Sequence, residues 1–133
     1  MRYVTGLHAL NSIRPDPAPS DWHRSAIDWG SPLILESEGS PFGDWGIVEA
    51  CDPLCDERLW ATNLRACADL IALGRFGDAR GMREHFIGDD AHEPELFEMV
   101  SRLRGTEGWG EVDRFMGSEY MLHWLDFKEG LDG

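Results

Sequence analysis

SPLILESEGSPFGDWGIVEA, Ser31 to Ala50, decides how the first half of this chain is built. Two short apolar segments, SPLILES and WGIVEA, read as strands, and they flank a stretch crowded with glycine, serine and acid. Gly39, Gly43 and Gly46, with Pro41, are what a backbone needs to reverse direction or to adopt positive φ, while serine and aspartate side chains satisfy exposed turn amides. ESEGSPFGDWG, Glu36 to Gly46, therefore reads as a turn-rich connection between two strands, with Trp45 anchored inward. Turn chemistry leaves Glu36, Glu38 and Asp44 unused beside Phe42 and Trp45. Carboxylates next to aromatic rings can be desolvated enough to exchange protons near neutral pH, so a site reading stays open beside the turn reading.

Upstream, Tyr3 to Thr5 offers a brief extended segment and Leu7 to Leu10 a second. RPDPAPSD then places three prolines in eight residues, which no regular ladder or helix tolerates. Ser20 or Asp21 can cap a short helix over DWHRSAIDW.

The second half is helical. Asp52 and Pro53 form an N-cap and first-turn pair, and the pattern runs on to Gly74. Trp60, Leu64, Cys67 and Ile71 make its apolar stripe, with Arg58, Arg65 and Asp69 opposite. After a break over Gly74 to Gly77, Ala79 to Ile87 reads as a shorter helix. Pro94 opens another across PELFEMVSRLRG, burying Leu96, Val100 and Leu103. The last helix, about Gly110 to Lys128, spreads its apolar residues over roughly 200° of the helical wheel, wider than the ~100° stripe of a surface helix. Trp124 and Phe127 fall at the margin of that sector and are the expected anchors of an association surface. The pattern predicts an α+β fold for a single domain over residues 1–133: a short, mainly antiparallel sheet and long loops in the N-terminal half, packed on about four C-terminal helices.

The chain has 133 residues, long enough to bury a core, and its 42% hydrophobic content with six Trp and six Phe excludes a disordered acidic tail. The formal charge of −13, from 25 acidic and 12 basic residues, disfavours nucleic acid and anionic lipid as partners; simple solubility accounts for it, and so does a basic partner. No run approaches the ~20 apolar residues that cross a bilayer, and the start of the chain has no signal-peptide pattern, so a cytoplasmic protein is expected. Cys51, Cys55 and Cys67 then read as reduced thiols.

Three constellations can carry chemistry. Glu119, His123 and Asp126 share one stripe of the last helix, suited to a divalent metal or to proton transfer; a hydrogen-bonded structural pair of Glu119 with His123 explains the same spacing. His85, Asp89, Asp90, His92 and Glu93 cluster in a loop that lacks the ligand order of a calcium site. His8, Asn11, Asp21, His23 and Glu36 are scattered among Trp22, Trp29 and Trp45 in the loop-rich half, as a small-molecule or peptide cleft requires. No nucleotide-binding, nucleophile-elbow or zinc-protease motif occurs, and no motif calls for a cofactor.

YVTGLHALN, DWH, ESEGSPFGDWGI and DRFMGSEYMLHWLDFK together resemble a family of small bacterial proteins encoded beside nucleotidyltransferase toxins of the abortive-infection type. The resemblance implies an accessory or antitoxin-like protein and supplies no catalytic residues. Two functions are therefore expected from different classes. One is an acidic protein-interaction module that neutralises a basic partner such as a toxin, with self-association of the last helix as a variant. The other is a small metal-assisted hydrolase with a loop-borne site drawn from His8, His23, Glu36 and Glu38.

Overall fold

The computed structural model describes residues 1–11, 32–49, 57–81 and 92–132, with the side chains of 131 and 132 left aside. The proline segment, the DWHRSAIDW helix with Asp21 and His23, Cys51 and Cys55, and the cluster from His85 to Asp90 lie outside these residues. The fold is α+β, and the chain divides into two compact units, Met1–Asp69 and Leu70–Gly133.

In the first unit, β1 (Arg2–Val4) leads into α1 (Gly6–Leu10), and β2 (Ile34–Glu36) is followed by a 3-10 turn at Ser37–Gly39, β3 (Ile47–Glu49), β4 (Leu59–Ala61) and the start of α2 (Asn63–Ala72). The strands form one mixed sheet in the order β2-β1-β4-β3. β1 runs antiparallel to β2, with Tyr3 opposite Leu35, and parallel to β4, with Val4 opposite Trp60. β3 is antiparallel to β4. The inner strands carry the core: Tyr3, Val4, Trp60 and Ala61 are fully buried, while β2 and β3 are half-exposed edges.

Three local expectations are corrected here. Leu7 to Leu10 is helix rather than strand. Trp60 belongs to a strand, not to the helix that follows, because it pairs with Val4 on one side and Val48 on the other in the sheet, and its buried indole N–H is satisfied by the Glu57 carbonyl at 2.8 Å. In the turn, Phe42 is the buried anchor and Trp45 is only half-buried.

The second unit contains α3 (Phe76–Ala79), α4 (Glu93–Val100) with a 3-10 extension at Ser101–Leu103, α5 (Trp109–Tyr120) and α6 (Leu122–Asp132). Pro94 lies in the first turn of α4, where its missing N–H costs nothing. Aromatic rings fill the centre. Phe97 meets Tyr120 edge-on at 5.0 Å and Trp124 edge-on at 5.3 Å, and Phe127 stacks on Trp124 at 5.7 Å. Such pairs add about 0.5–1.5 kcal/mol each beyond the area they bury.

The expected single last helix is two helices. Met121 separates them with a φ of 54°, the one positive φ outside glycine among the described residues. The wide apolar sector is thereby shared between α5 and α6. Trp124, expected at a partly exposed margin, is fully buried, with its indole N–H donated to Asp113 at 2.8 Å.

Candidate functional site

The polar residues of the opening stretch fold around a buried cation. Arg65, on α2, has no exposed surface, and its five guanidinium N–H groups make five hydrogen bonds: to Asp69 Oδ1 (3.1 Å), the Gly43 and Trp45 carbonyls (2.8 and 2.5 Å), the Tyr3 hydroxyl (2.8 Å) and Ser40 Oγ (3.1 Å). Asp69 Oδ2 accepts from the Tyr3 and Thr5 hydroxyls, both at 2.7 Å. The guanidinium carbon also stands 4.8 Å from the centre of the Tyr3 ring. Burial, together with the Asp69 carboxylate, pushes the Tyr3 hydroxyl pKa well above its ordinary value. Arg65 and Asp69, expected on a solvated face, are thus the polar centre of the first unit. With every guanidinium donor used, this cluster holds the turn in place.

Of the loop-borne candidates, His8, Glu36 and Glu38 fall among the described residues, and His23 lies outside them. His8 is buried on α1. Glu36 and Glu38 are exposed near the Met1 ammonium, which pairs with Glu38 and lies 4.0 Å from Glu36, and the hydrogen bond from that ammonium holds the Glu38 carboxyl below the usual carboxylate range. At 65% and 69% exposure, neither carboxylate is buried against the aromatic rings that neighbour it in sequence.

The row on the last helix is also divided. Glu119, on α5, accepts the backbone N–H of Gly81 at 2.6 Å. His123, on α6, faces Glu93 instead, with Nδ1 2.6 Å from Oε1. The ring is 54% exposed and the carboxylate 9%. The structural partner of His123 is therefore a residue of α4 that sequence spacing could not supply. Glu93, Pro94, Phe97, His123 and Phe127 line a shallow cleft of about 280 Å³. Asp126 is exposed, and no group of three His, Cys, Asp or Glu side chains suited to a metal ion occurs among the described residues.

What the break at Met121 does create is an exposed apolar face. A positive φ in a residue with a Cβ costs about 1–2 kcal/mol, and such costs concentrate where function sets the backbone. The Met121 N–H is retained by the Gly117 carbonyl at 3.0 Å, and α6 restarts immediately. Met121, Leu122 and Leu125 are left 58%, 68% and 47% exposed. Leu122, Leu125, Asp126 and Glu129 recur at three, four and seven residues, so they form one outward stripe in which leucine and carboxylate lie side by side. Trp124 and Phe127 occupy other sectors of the helix and support that stripe from inside; Phe127 is half-buried. No helix among the described residues is long and apolar enough to cross a membrane. Comparison with protein-family models, curated proteins and solved structures finds no match to this chain.

Proposed function

We propose that the protein is an acidic interaction module whose contact surface is the outward face of α6, and that its partner presents apolar residues flanked by lysine or arginine. The observation that carries this reading is the coincidence of a strained Met121 with three exposed apolar side chains and two adjacent carboxylates. Leucines of this kind supply affinity once desolvated, and Asp126 and Glu129 steer a cationic surface into register. A second copy of the chain fits less well, because pairing this face with itself brings like charges together on a chain of net charge −13. An antitoxin-like role against a basic toxin is the finer form of the reading, supported by the sequence resemblance and by the charge.

The test uses a synthetic helical peptide with one leucine face and arginine flanks, and a scrambled peptide of the same composition. Saturable binding of the patterned peptide is expected, lost in Leu122→Asp with Leu125→Asp, which preserves attraction for a cation. Binding should weaken steeply toward 1 M salt, where the Debye length falls to about 3 Å. Equal binding of the scrambled peptide, or no effect of the leucine changes, would refute the proposal. A dimer by light scattering that these changes dissolve would replace it with self-association.

A further inference from the structure

A second recess of the helical unit has the opposite character. Phe76 and Arg80 in and beside α3 and Glu111, Arg114, Phe115 and Ser118 on α5 line an open cleft of about 430 Å³. The four α5 residues fall at intervals of three, four and seven, so one helical face delivers all of them. The rings of Phe76 and Phe115 are stacked, with centres 5.1 Å apart and planes inclined at 21°. Phe115 is buried and Phe76 half-buried, which leaves an aromatic floor reaching the opening.

The two arginines are the unusual part. Acidic residues outnumber basic ones by 25 to 12, and Arg2, Arg58, Arg65, Arg75 and Lys128 each meet a carboxylate. Arg80 and Arg114 have exposed side chains, and neither is paired with a carboxylate among the described residues. Both line the same cleft, beside an acidic residue, Glu111, that takes neither of them as an ion-pair partner. Two unpaired guanidinium groups offer the planar donor forks that match a phosphate. The aromatic floor offers a stacking surface worth most to a flat ring. Glu111 and Ser118 accept hydrogen bonds from hydroxyl or amino groups carried between ring and anion.

We infer that this cleft binds a small molecule joining a flat, hydrogen-bonding ring to a single phosphate group, a mononucleotide in its general chemistry. The acidic surface elsewhere repels polyanions, but it is screened beyond about 8 Å at physiological ionic strength, so the local arginine pair governs a ligand of one phosphate. The volume lies within the roughly 300–1,000 Å³ of small-molecule sites.

Titration calorimetry with AMP at about 150 mM salt tests this directly. Saturable binding is expected, reduced roughly tenfold or more by Arg80→Gln and by Arg114→Gln, each of which removes a charge-assisted contact. Adenosine, lacking the anion, and inorganic phosphate, lacking the ring, should each bind at least about tenfold more weakly than AMP. Arg58→Gln, the same charge change in the other unit, should leave binding unaltered. Thermal melting separates loss of binding from loss of fold, and amide shift changes on adding AMP should centre on α3 and α5. Lack of saturation by about 10 mM AMP, phosphate binding as tightly as AMP, an equal loss in Arg58→Gln, or shifts confined to other elements would overturn the inference.

Discussion

The two units of this chain hold themselves together by opposite means. In Met1–Asp69 the centre is a charge, with Arg65 and Asp69 tying the hydroxyls of Tyr3 on β1 and of Thr5 just after it, together with two loop carbonyls, to one helix. In Leu70–Gly133 the centre is a set of rings around Phe97, and its prominent ion pair, Asp113 with Lys128, remains partly open to solvent. Aromatic burial is graded, since each contact is lost separately. A buried ion network is close to all-or-none: removing one member strands the others without water.

The strongest test of that contrast is Arg65→Ala. It leaves Asp69 as an uncompensated buried carboxylate and frees the Gly43 and Trp45 carbonyls, so a loss of about 3–5 kcal/mol is expected in urea unfolding. Arg65→Met combined with Asp69→Leu removes both charges, and should cost at least about 1 kcal/mol less than the sum of the single changes. A loss below about 1 kcal/mol for Arg65→Ala would show that the network is not the centre of the first unit.

A smaller effect separates two glycines of the same turn. Gly43 and Gly46 both have positive φ, 57° and 71°. A Cβ at Gly43 meets nothing within 4 Å, whereas one at Gly46 comes 2.6 Å from Arg65 Cβ and 3.0 Å from Thr62 Oγ1. Gly43→Ala therefore bears only the backbone cost of about 1 kcal/mol, while Gly46→Ala also displaces the helix that carries Arg65, for about 2–4 kcal/mol in all. Equal melting temperatures for the two variants would detach the turn from the network.

These same residues show what was legible in sequence and what was not. The turn could be read because glycine, proline and serine act locally on their own backbone. Local pattern favours Trp45 as the inward ring, yet Phe42 is the buried one, with the guanidinium carbon of Arg65, more than twenty positions away, 5.4 Å from its centre. Arg65 and Asp69 at i and i+4 have the spacing of an ordinary solvated helix pair. Their burial rests on Tyr3 and Thr5, more than sixty residues earlier, and local pattern carries no trace of that. Trp60 continues the helical period of Leu64, Cys67 and Ile71, so local pattern alone assigns it to the helix rather than to β4. The break at Met121 lacks the glycine or proline that would mark it. Its trace was the apolar sector too wide for one helix, which two helices explain without an exposed tryptophan. The cleft with Arg80 and Arg114 leaves no trace in local pattern, because its two arginines come from the end of α3 and from α5, more than thirty residues apart.

The smallest predicted effect is on pH dependence, and it has opposite sign in the two units. Burial pushes the Asp113 carboxyl up, but hydrogen bonds from Lys128 and Trp124 outweigh it and hold the group below the usual carboxylate range. A depressed folded pKa contributes stability that is present above the unfolded value of about 3.9 and is lost as pH falls through the folded value. Because Asp113 and Lys128 are about one-third exposed, the contribution is at most about 1 kcal/mol. Tyr3 has its pKa raised, so its contribution is complete below about pH 10 and is lost as pH climbs beyond it. Asp113→Asn keeps an oxygen for both donors and removes the titration. It should flatten stability below about pH 4 while leaving the alkaline limb untouched, whereas Tyr3→Phe should lower stability at every pH by taking two buried hydrogen bonds from the network, and should also remove the Tyr3 share of the alkaline limb. Urea midpoints measured across both limbs decide the matter. An acid limb unchanged by Asp113→Asn would mean that the helical unit does not draw on this ion pair, and the contrast between the units would then rest on their cores alone.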